Sequence, residues 1–385
     1  MLASVASMID QFNMPNIRLL KEMGYEVHVA CNFQEGNTCH AARIEKLKRN
    51  LEGMHVLWFQ WDCPRGMGRA RDWIRACHQL GKLFETMHYD WIHCHSPVGS
   101  VLGRVMAHWY QTAAVYTAHG FHFYKGAPLK NWLLYYPVEK LLAYWTEELV
   151  TVNEEDDCFA RRNLRAKRIR RIPGAGIDTS RFLPRQDLPD AGSAGSRMEF
   201  CRAYRLPEDA VVLLSVGELS RRKNHGVVLK ALAGLCRKDI FYLICGQGSL
   251  HQELVNQADR LGIREQLRLG GFQEKIELFY QNADIFVFPS MQEGLPVALM
   301  EAMATGLPCI VSDIRGNREL IPEQNMQFAY HDSARLQEIL QNLLQDTQMR
   351  RQCGYRNRQK VKAYDTRRVQ KQMKRIYKEM QDICG

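Results

Sequence analysis

Short apolar runs recur along the whole chain, each followed by a turn and then by a stretch of helical period. In the first half they fall at 27–31, 56–59, 91–94, 115–118 and 149–152. They are apolar on both faces, which suits strands of a parallel sheet covered by helices on both sides. Helical patterns such as Ile17, Leu20 and Met23, closed by Gly24, fit between them. After a turn at Pro173-Gly174-Ala175-Gly176 the alternation resumes, with runs at 211–216, 241–245, 267–269 and 285–288. The pattern predicts an α/β chain of two doubly wound domains. A length of 385 residues, too long for one ordinary core, agrees. The expected division is 1–174, 175–364 and a terminal segment 365–385. That segment carries Val369, Met373, Ile376, Met380 and Ile383 on one helical face, suited to packing back across the domains. Residues 191–196, rich in Gly and Ser, read as a flexible surface insertion. The first strand, 2–6, begins almost at Met1, so either its edge is ragged or the true start lies a few residues upstream.

Charge narrows the partners. The formal net charge is +10 and the pI is near 9.0, which points to an anionic partner. A dense basic run over 161–171 reads as a solvated face and lacks the interleaved aromatics that stack bases, so nucleic acid ranks low. The 12 cysteines contain no C-x-x-C pair and read as reduced, buried thiols. No run is long enough for a transmembrane helix, and Asp10 interrupts any signal-peptide pattern. The expected location is cytoplasmic, peripheral at the inner face of the membrane. Two stretches suit an anionic bilayer. One holds Lys125, Lys130, Trp132, Tyr135 and Tyr136 and runs on to Trp145. The other holds Arg65, Arg69, Arg71, Trp73 and Arg75. An ordinary helix packed on the sheet is the competing reading of both.

The most chemical stretch follows the run at 285–288. It reads Pro289-Ser290-Met291-Gln292-Glu293-Gly294-Leu295-Pro296-Val297-Ala298-Leu299-Met300-Glu301, and its helix closes at Gly306 before Pro308. Pro296 suits the first helical position. The free N–H groups of Gly294, Leu295 and Val297, on either side of Pro296 whose missing N–H costs nothing there, make a positive helix end that suits a phosphate. An acid one to two turns into the helix, Glu301, suits ribose hydroxyls. Lys223 ends another strand, where it can neutralise a leaving diphosphate. Gly246 and Gly248 form a close-approach loop after the strand at 241–245.

In the first half, Thr117-Ala118-His119-Gly120 ends a strand where ligands of open sheets bind. His119 there can hydrogen-bond a hydroxyl or act as acid or base, or serve structure alone. His93 and His95 share a strand face in a metal-like triplet with Cys94, but no further ligand is visible and a polar strand end is the simpler reading. The turn at 6–10 lacks the glycines of a phosphate loop and suits acceptor contact or no contact at all.

Taken together these segments resemble glycosyltransferase family 4. The resemblance rests on the E-x7-E stretch from Glu293 to Glu301, on Ser-Asp-Ile-Arg-Gly-Asn-Arg-Glu-Leu at 312–320, on Val-Gly-Glu-Leu at 216–219, and on Thr-Ala-His-Gly-Phe-His-Phe-Tyr-Lys-Gly-Ala-Pro at 117–128. It is strongest toward bacterial enzymes of capsular and exopolysaccharide synthesis. It implies a GT-B fold, two Rossmann-like domains facing across a cleft, and retaining transfer of a sugar from a nucleotide-sugar such as a UDP-sugar, with no metal or cofactor. The acceptor it implies is a hydroxyl of a lipid-linked saccharide. By the same resemblance Glu301 holds the ribose, and Glu293 with the backbone of Gly294 to Val297 holds sugar and diphosphate. Lys223 binds the diphosphate, His119 meets the sugar, the backbone near Phe272 meets the base, and Gly217 and Arg222 complete the donor set. The implied catalytic residues are His119, Lys223 and Glu293. This chain departs from the family at Glu218, where many members carry arginine, and at Ser7-Met8, where many carry glycine. A nucleotide-sugar epimerase on the same architecture and a non-catalytic binding module are the alternatives.

Overall fold

The computed structural model describes residues 1–35, 41–64, 66, 68–187 and 194–384. The chain divides into two units, Met1–Ala175 with Arg367–Gly385, and Gly176–Thr366. Arg65 and residues 191–193 of the Gly/Ser segment lie outside the described residues. From Ala194 that segment enters the helix Ala194–Ala203.

The first unit holds strands β1 (Leu2–Val5), β2 (His28–Asn32), β3 (Leu57–Gln60), β4 (Trp91–His95), β5 (Ala113–Ala118), β6 (Glu148–Thr151) and β7 (Arg168–Arg171). Their order across the sheet is β3-β2-β1-β4-β5-β6-β7, all parallel. Helices cover the sheet because a parallel strand needs a crossover to return its chain to the same edge. Ala3, Val29, Cys31, Cys94, Ala114, Val115, Leu149 and Val150 are wholly buried, as the doubly apolar pattern requires.

β7 corrects the reading of 161–171 as a solvated charge run. Its second half is an edge strand, and its arginines are paired. Arg168 donates to Glu148 at 2.9 Å and to Glu147 at 3.0 Å, and Arg170 donates to Glu379 at 2.8 Å. Basic residues suit an edge, where they discourage pairing with another chain. The last helix, Thr366–Cys384, supplies Glu379 and packs within the first unit. It buries Val369, Met373, Ile376, Tyr377 and Met380, at about 1.5–3 kcal/mol for each fully buried apolar side chain.

The second unit repeats the plan with β8 (Val211–Val216), β9 (Ile240–Cys245), β10 (Leu267–Gly271), β11 (Ile285–Phe288), β12 (Cys309–Ser312) and β13 (Gln327–Phe328). The order is β10-β9-β8-β11-β12-β13, again parallel. Both sheets therefore reverse direction of growth beside their first strand, between β1 and β4 and between β8 and β11. Ligands of such sheets bind where the order reverses, outside the carboxyl ends of the strands.

Candidate active site

In the second unit that position is built by the loops after β8 and β11. The two are stitched together by hydrogen bonds: the Met291 backbone N–H donates to the Arg222 carbonyl at 2.8 Å, and the Asn224 side-chain Nδ2 donates to the Pro289 carbonyl at 3.2 Å. The stitching brings three of the expected residues together. Lys223 Nζ lies 2.8 Å from Glu293 Oε1, and Arg222 Nη1 lies 2.7 Å from the same oxygen. Burial alone pushes the Glu293 carboxyl up, but the charges of Lys223 and Arg222 outweigh it and hold the group below its ordinary value. Lys223 is largely covered, at 12% side-chain exposure, and its ammonium sits 4.7 Å from the Phe288 ring centroid. Gly217 makes room for it, since a Cβ there would stand 3.0 Å from Lys223 Cε. Arg222 is exposed beside it and brings a cation to the loop that carries Glu218.

The glycines of the neighbouring loops serve close backbone approach. Gly217 N–H donates to the Cys245 carbonyl at 2.9 Å, and Gly246 N–H to the Gly271 carbonyl at 2.8 Å. A Cβ on Gly246 would fall 1.8 Å from the Gly217 carbonyl oxygen, and one on Gly248 would fall 2.4 Å from that of Leu219. Three strand ends are thereby drawn into one layer, and Phe272 follows directly on β10.

The helix after β11 is Val297–Ala304. Pro296 is its cap, with φ −78° and ψ 120°, and not its first helical residue. The one-residue difference arises because its extended ψ lets the Pro296 carbonyl start the helical ladder, accepting from Met300 N–H at 3.3 Å. Leu295 and Pro296 are buried, while Gly294 and Val297 remain half-buried beside the helix start. Gly306, at φ +78°, closes the helix in the left-handed region. Glu301 lies one turn in. The Tyr280 hydroxyl reaches its Oε2 at 2.8 Å and the Ala298 carbonyl at 3.0 Å. Burial raises the Glu301 carboxyl from 4.5 to about 7, against the opposing pull of Tyr280 and Arg181.

Sequence reasoning gave no role to Tyr280, which is wholly buried behind Glu301. Nor did it assign Arg315, whose Nε donates to the Glu293 carbonyl at 3.3 Å. Arg315 was visible only as part of the 312–320 segment.

In the first unit the equivalent position holds imidazoles and hydroxyls. β1 and β4 meet through Ser4 and Ser96, whose hydroxyls are 2.7 Å apart. His95 ends β4 and His119 follows β5. His95 Nδ1 and His119 Nε2 are 3.2 Å apart, and the rings of His93 and His95 lie 4.1 Å between centroids. Burial lowers all three histidines, His119 to about 4. Among the described residues no cluster of three or more His, Cys, Asp or Glu is arranged to hold a metal ion. His93 is instead a structural link, to Tyr377 hydroxyl at 3.0 Å and Thr117 hydroxyl at 2.8 Å. Asp156 fixes the turn after His119 by accepting from Phe121 N–H at 3.1 Å. The turn after β1 is a helical segment whose Ile9–Asn13 part is a π-helix, a form often found at functional sites.

Comparison with known proteins matches both units. The model of Glycosyltransferase Family 4 matches residues 17–181, and that of Glycosyl transferases group 1 matches 196–360. EpsD of Bacillus subtilis, itself assigned as a glycosyltransferase, is 34% identical over 97% of this chain and 94% of its own length. A UDP-Gal:α-D-GlcNAc-diphosphoundecaprenol α-1,3-galactosyltransferase of Escherichia coli is 31% identical over 65% of each chain. HepE of Anabaena, solved with UDP and glucose, superposes with a TM-score of 0.77 over 97% of both chains at 17% identity, a likeness of fold. The two doubly wound units are those of a GT-B glycosyltransferase. The chain belongs to glycosyltransferase family 4.

Proposed function

We propose that the protein transfers a sugar, with retention and without a metal, from a UDP-sugar to a hydroxyl of a lipid-linked saccharide in polysaccharide synthesis. The observation that carries this reading is the meeting of Lys223, Arg222 and Glu293 at the switch point of the second sheet, beside the start of the helix at Val297. In the transfer, the bond from the anomeric carbon to the phosphate oxygen breaks and the diphosphate takes up charge. Lys223, Arg222 and the helix N-terminus meet that charge. Glu293 pairs with Lys223 when no donor is bound, and it exchanges that partner for a sugar hydroxyl as the diphosphate claims the lysine. Glu301 receives the ribose hydroxyls, Phe272 marks the place of the base, and His119 is assigned to the transferred sugar. The names of the Escherichia coli and Anabaena proteins support the UDP donor, and the former supports the lipid-linked acceptor.

The membrane surface is the second half of the proposal. Trp132, Tyr135 and Tyr136 turn inward onto the core with Phe123 and Phe159, so they are not the bilayer contact expected of them. The outer face of the same helix, Leu129–Ala143, instead exposes Leu129 by 72%, Leu133 by 70% and Leu134 by 41%. Lys125, Lys130 and Lys140 stand exposed around it. An apolar row with a basic border suits an anionic bilayer, which is where a lipid-linked acceptor is found. Among the described residues no helix is long and apolar enough to cross a membrane.

The test is a screen of UDP-glucose, UDP-galactose and UDP-N-acetylglucosamine by hydrolysis and by transfer to undecaprenyl-diphosphate-linked sugars. Transfer that survives Lys223→Ala, Glu293→Gln and His119→Ala together sinks the site. Epimerisation of a donor in the absence of acceptor sinks the transferase reading.

A further inference from the structure

His119 sits at the end of β5 with only one of its ring nitrogens engaged. Its Nε2 meets His95 Nδ1 at 3.2 Å, and Nδ1 makes no hydrogen bond among the described residues. His95 is 1% exposed, and its own Nε2 is buried with no protein partner. A hollow of about 20 Å³ lies beside both rings, lined also by Phe12, Asn13, Thr117 and Gln370, with room for one water-sized group. Phe12 closes one side, its ring centroid 5.8 Å from that of His119.

Two neutral imidazoles can share such a contact in two ways. In one, His95 Nδ1–H donates to His119 Nε2. Each ring then carries its proton on Nδ1, His119 presents an N–H outward, and His95 Nε2 is a bare lone pair. In the other, His119 Nε2–H donates to His95 Nδ1. Each ring then carries its proton on Nε2, His119 presents a lone pair outward, and His95 holds a buried N–H with no acceptor. A buried donor without an acceptor is the rarer feature in folded proteins, and an under-satisfied acceptor is the more tolerated one. The first arrangement is therefore the stable one. The neutral state of both rings, kept by burial, is consistent with it.

We propose that His95 is a positioning residue that locks His119 in the Nδ1–H tautomer, so that His119 offers the sugar a hydrogen-bond donor and not an acceptor. The proposal rests on the assignment of His119 to the transferred sugar. His95 is held in turn by the ring of His93, which Tyr377 and Thr117 fix from both nitrogens. The tautomer reaching the sugar is thus set two residues back in the strand bundle, by the same logic that governs metal-bound and catalytic imidazoles.

The experiment has two arms. Long-range ¹H–¹⁵N correlation spectra of the full protein labelled with ¹⁵N-histidine read the tautomers directly. The His95 and His119 signals are assigned by their loss in His95→Asn and His119→Ala. Both rings protonated on Nδ1 is the expected result, and His119 protonated on Nε2 overturns the proposal. The kinetic arm uses UDP-glucose, UDP-galactose and UDP-N-acetylglucosamine as donors. His95→Phe keeps an aromatic ring and removes the donor, and is expected to lower kcat about tenfold or more with little change in donor KM. His95→Asn, whose amide N–H takes the place of Nδ1–H, is expected to restore most of that loss. A His95→Phe variant with wild-type kcat overturns the proposal. If His119→Ala leaves transfer unchanged, the site assignment fails, while the spectra still decide which proton arrangement His95 imposes.

Discussion

The two units share one strand order and spend their switch points differently. In the second unit the strand ends are drawn together by backbone hydrogen bonds, Gly217 to Cys245 and Gly246 to Gly271, and the site is charged. In the first unit the strand ends are joined by side chains, Ser4 to Ser96 and His95 to His119, and the groups there are neutral. A site for a diphosphate needs fixed positive charge that does not reorganise when the ligand charge changes. A site for hydroxyls needs donors and acceptors of set direction. The same topology serves either, because the sheet fixes only where the loops end and not what they carry.

The contrast is most exposed at Lys223. Lys223→Ala is expected to lower kcat by about 10²–10³-fold, the usual consequence of losing one donor to developing charge. Lysine to arginine at this site should not rescue fully, since the side chain is fitted over Gly217. His119→Ala in the neutral half is expected to cost roughly tenfold to a hundredfold, less than the lysine. Equal losses from the two variants would break the comparison.

Rigidity is tested next. Gly246→Ala places a Cβ 1.8 Å from the Gly217 carbonyl oxygen, so backbone must move. A destabilisation of roughly 1–3 kcal/mol is expected, read by thermal or urea unfolding. Ser4→Ala in the first unit should cost about 1 kcal/mol, because it removes hydrogen bonds and displaces no backbone.

Glu301 supplies a pH test. Its folded value of about 7 lies above the ordinary 4.5, so the group favours folding below 4.5 and loses that contribution as pH rises to 7 and beyond. UDP binding has the opposite sign, since ribose hydroxyls donate to the ionised carboxylate. Affinity for UDP should rise several-fold between pH 6 and pH 8, on the order of the shift that burial imposes. Calorimetry that finds the same rise in Glu301→Gln would reject the assignment. The smallest effect concerns the first unit. Leu133→Asp should weaken binding to anionic vesicles by a few-fold at low salt without altering hydrolysis of donor in solution. Unchanged vesicle binding would remove the exposed leucine row from the proposal.

The sequence made some of this plain and hid the rest for physical reasons. Strands such as 211–216 and 285–288 were legible because burial on both faces leaves few choices but Val, Ile, Leu and Phe. β7 was not, because Arg168 and Arg170 satisfy their charge with Glu147, Glu148 and Glu379, partners that only the fold brings near. β13, two residues long, carries too little pattern to be seen. In the site, Glu293, Lys223 and Glu301 stood out by chemistry and position. Tyr280 did not, since a buried hydroxyl behind an acid leaves no spacing to read. The inward turn of Trp132 and Tyr136 was hidden for a similar reason: a helix with apolar residues on both faces does not say which face the sheet takes.

The last helix has a consequence for the order of events at the ribosome. The first unit is discontinuous, and Tyr377 holds one of the two ring nitrogens of His93. A growing chain therefore completes its second unit, 176–366, before its first. The amino-terminal sheet waits, with the flank of Trp91 and His93 uncovered, until residues 367–385 have been made. A chain cut short after Thr366 keeps Lys223, Glu293 and Glu301 but loses the Tyr377 hydroxyl from His93 and its ring from Trp91.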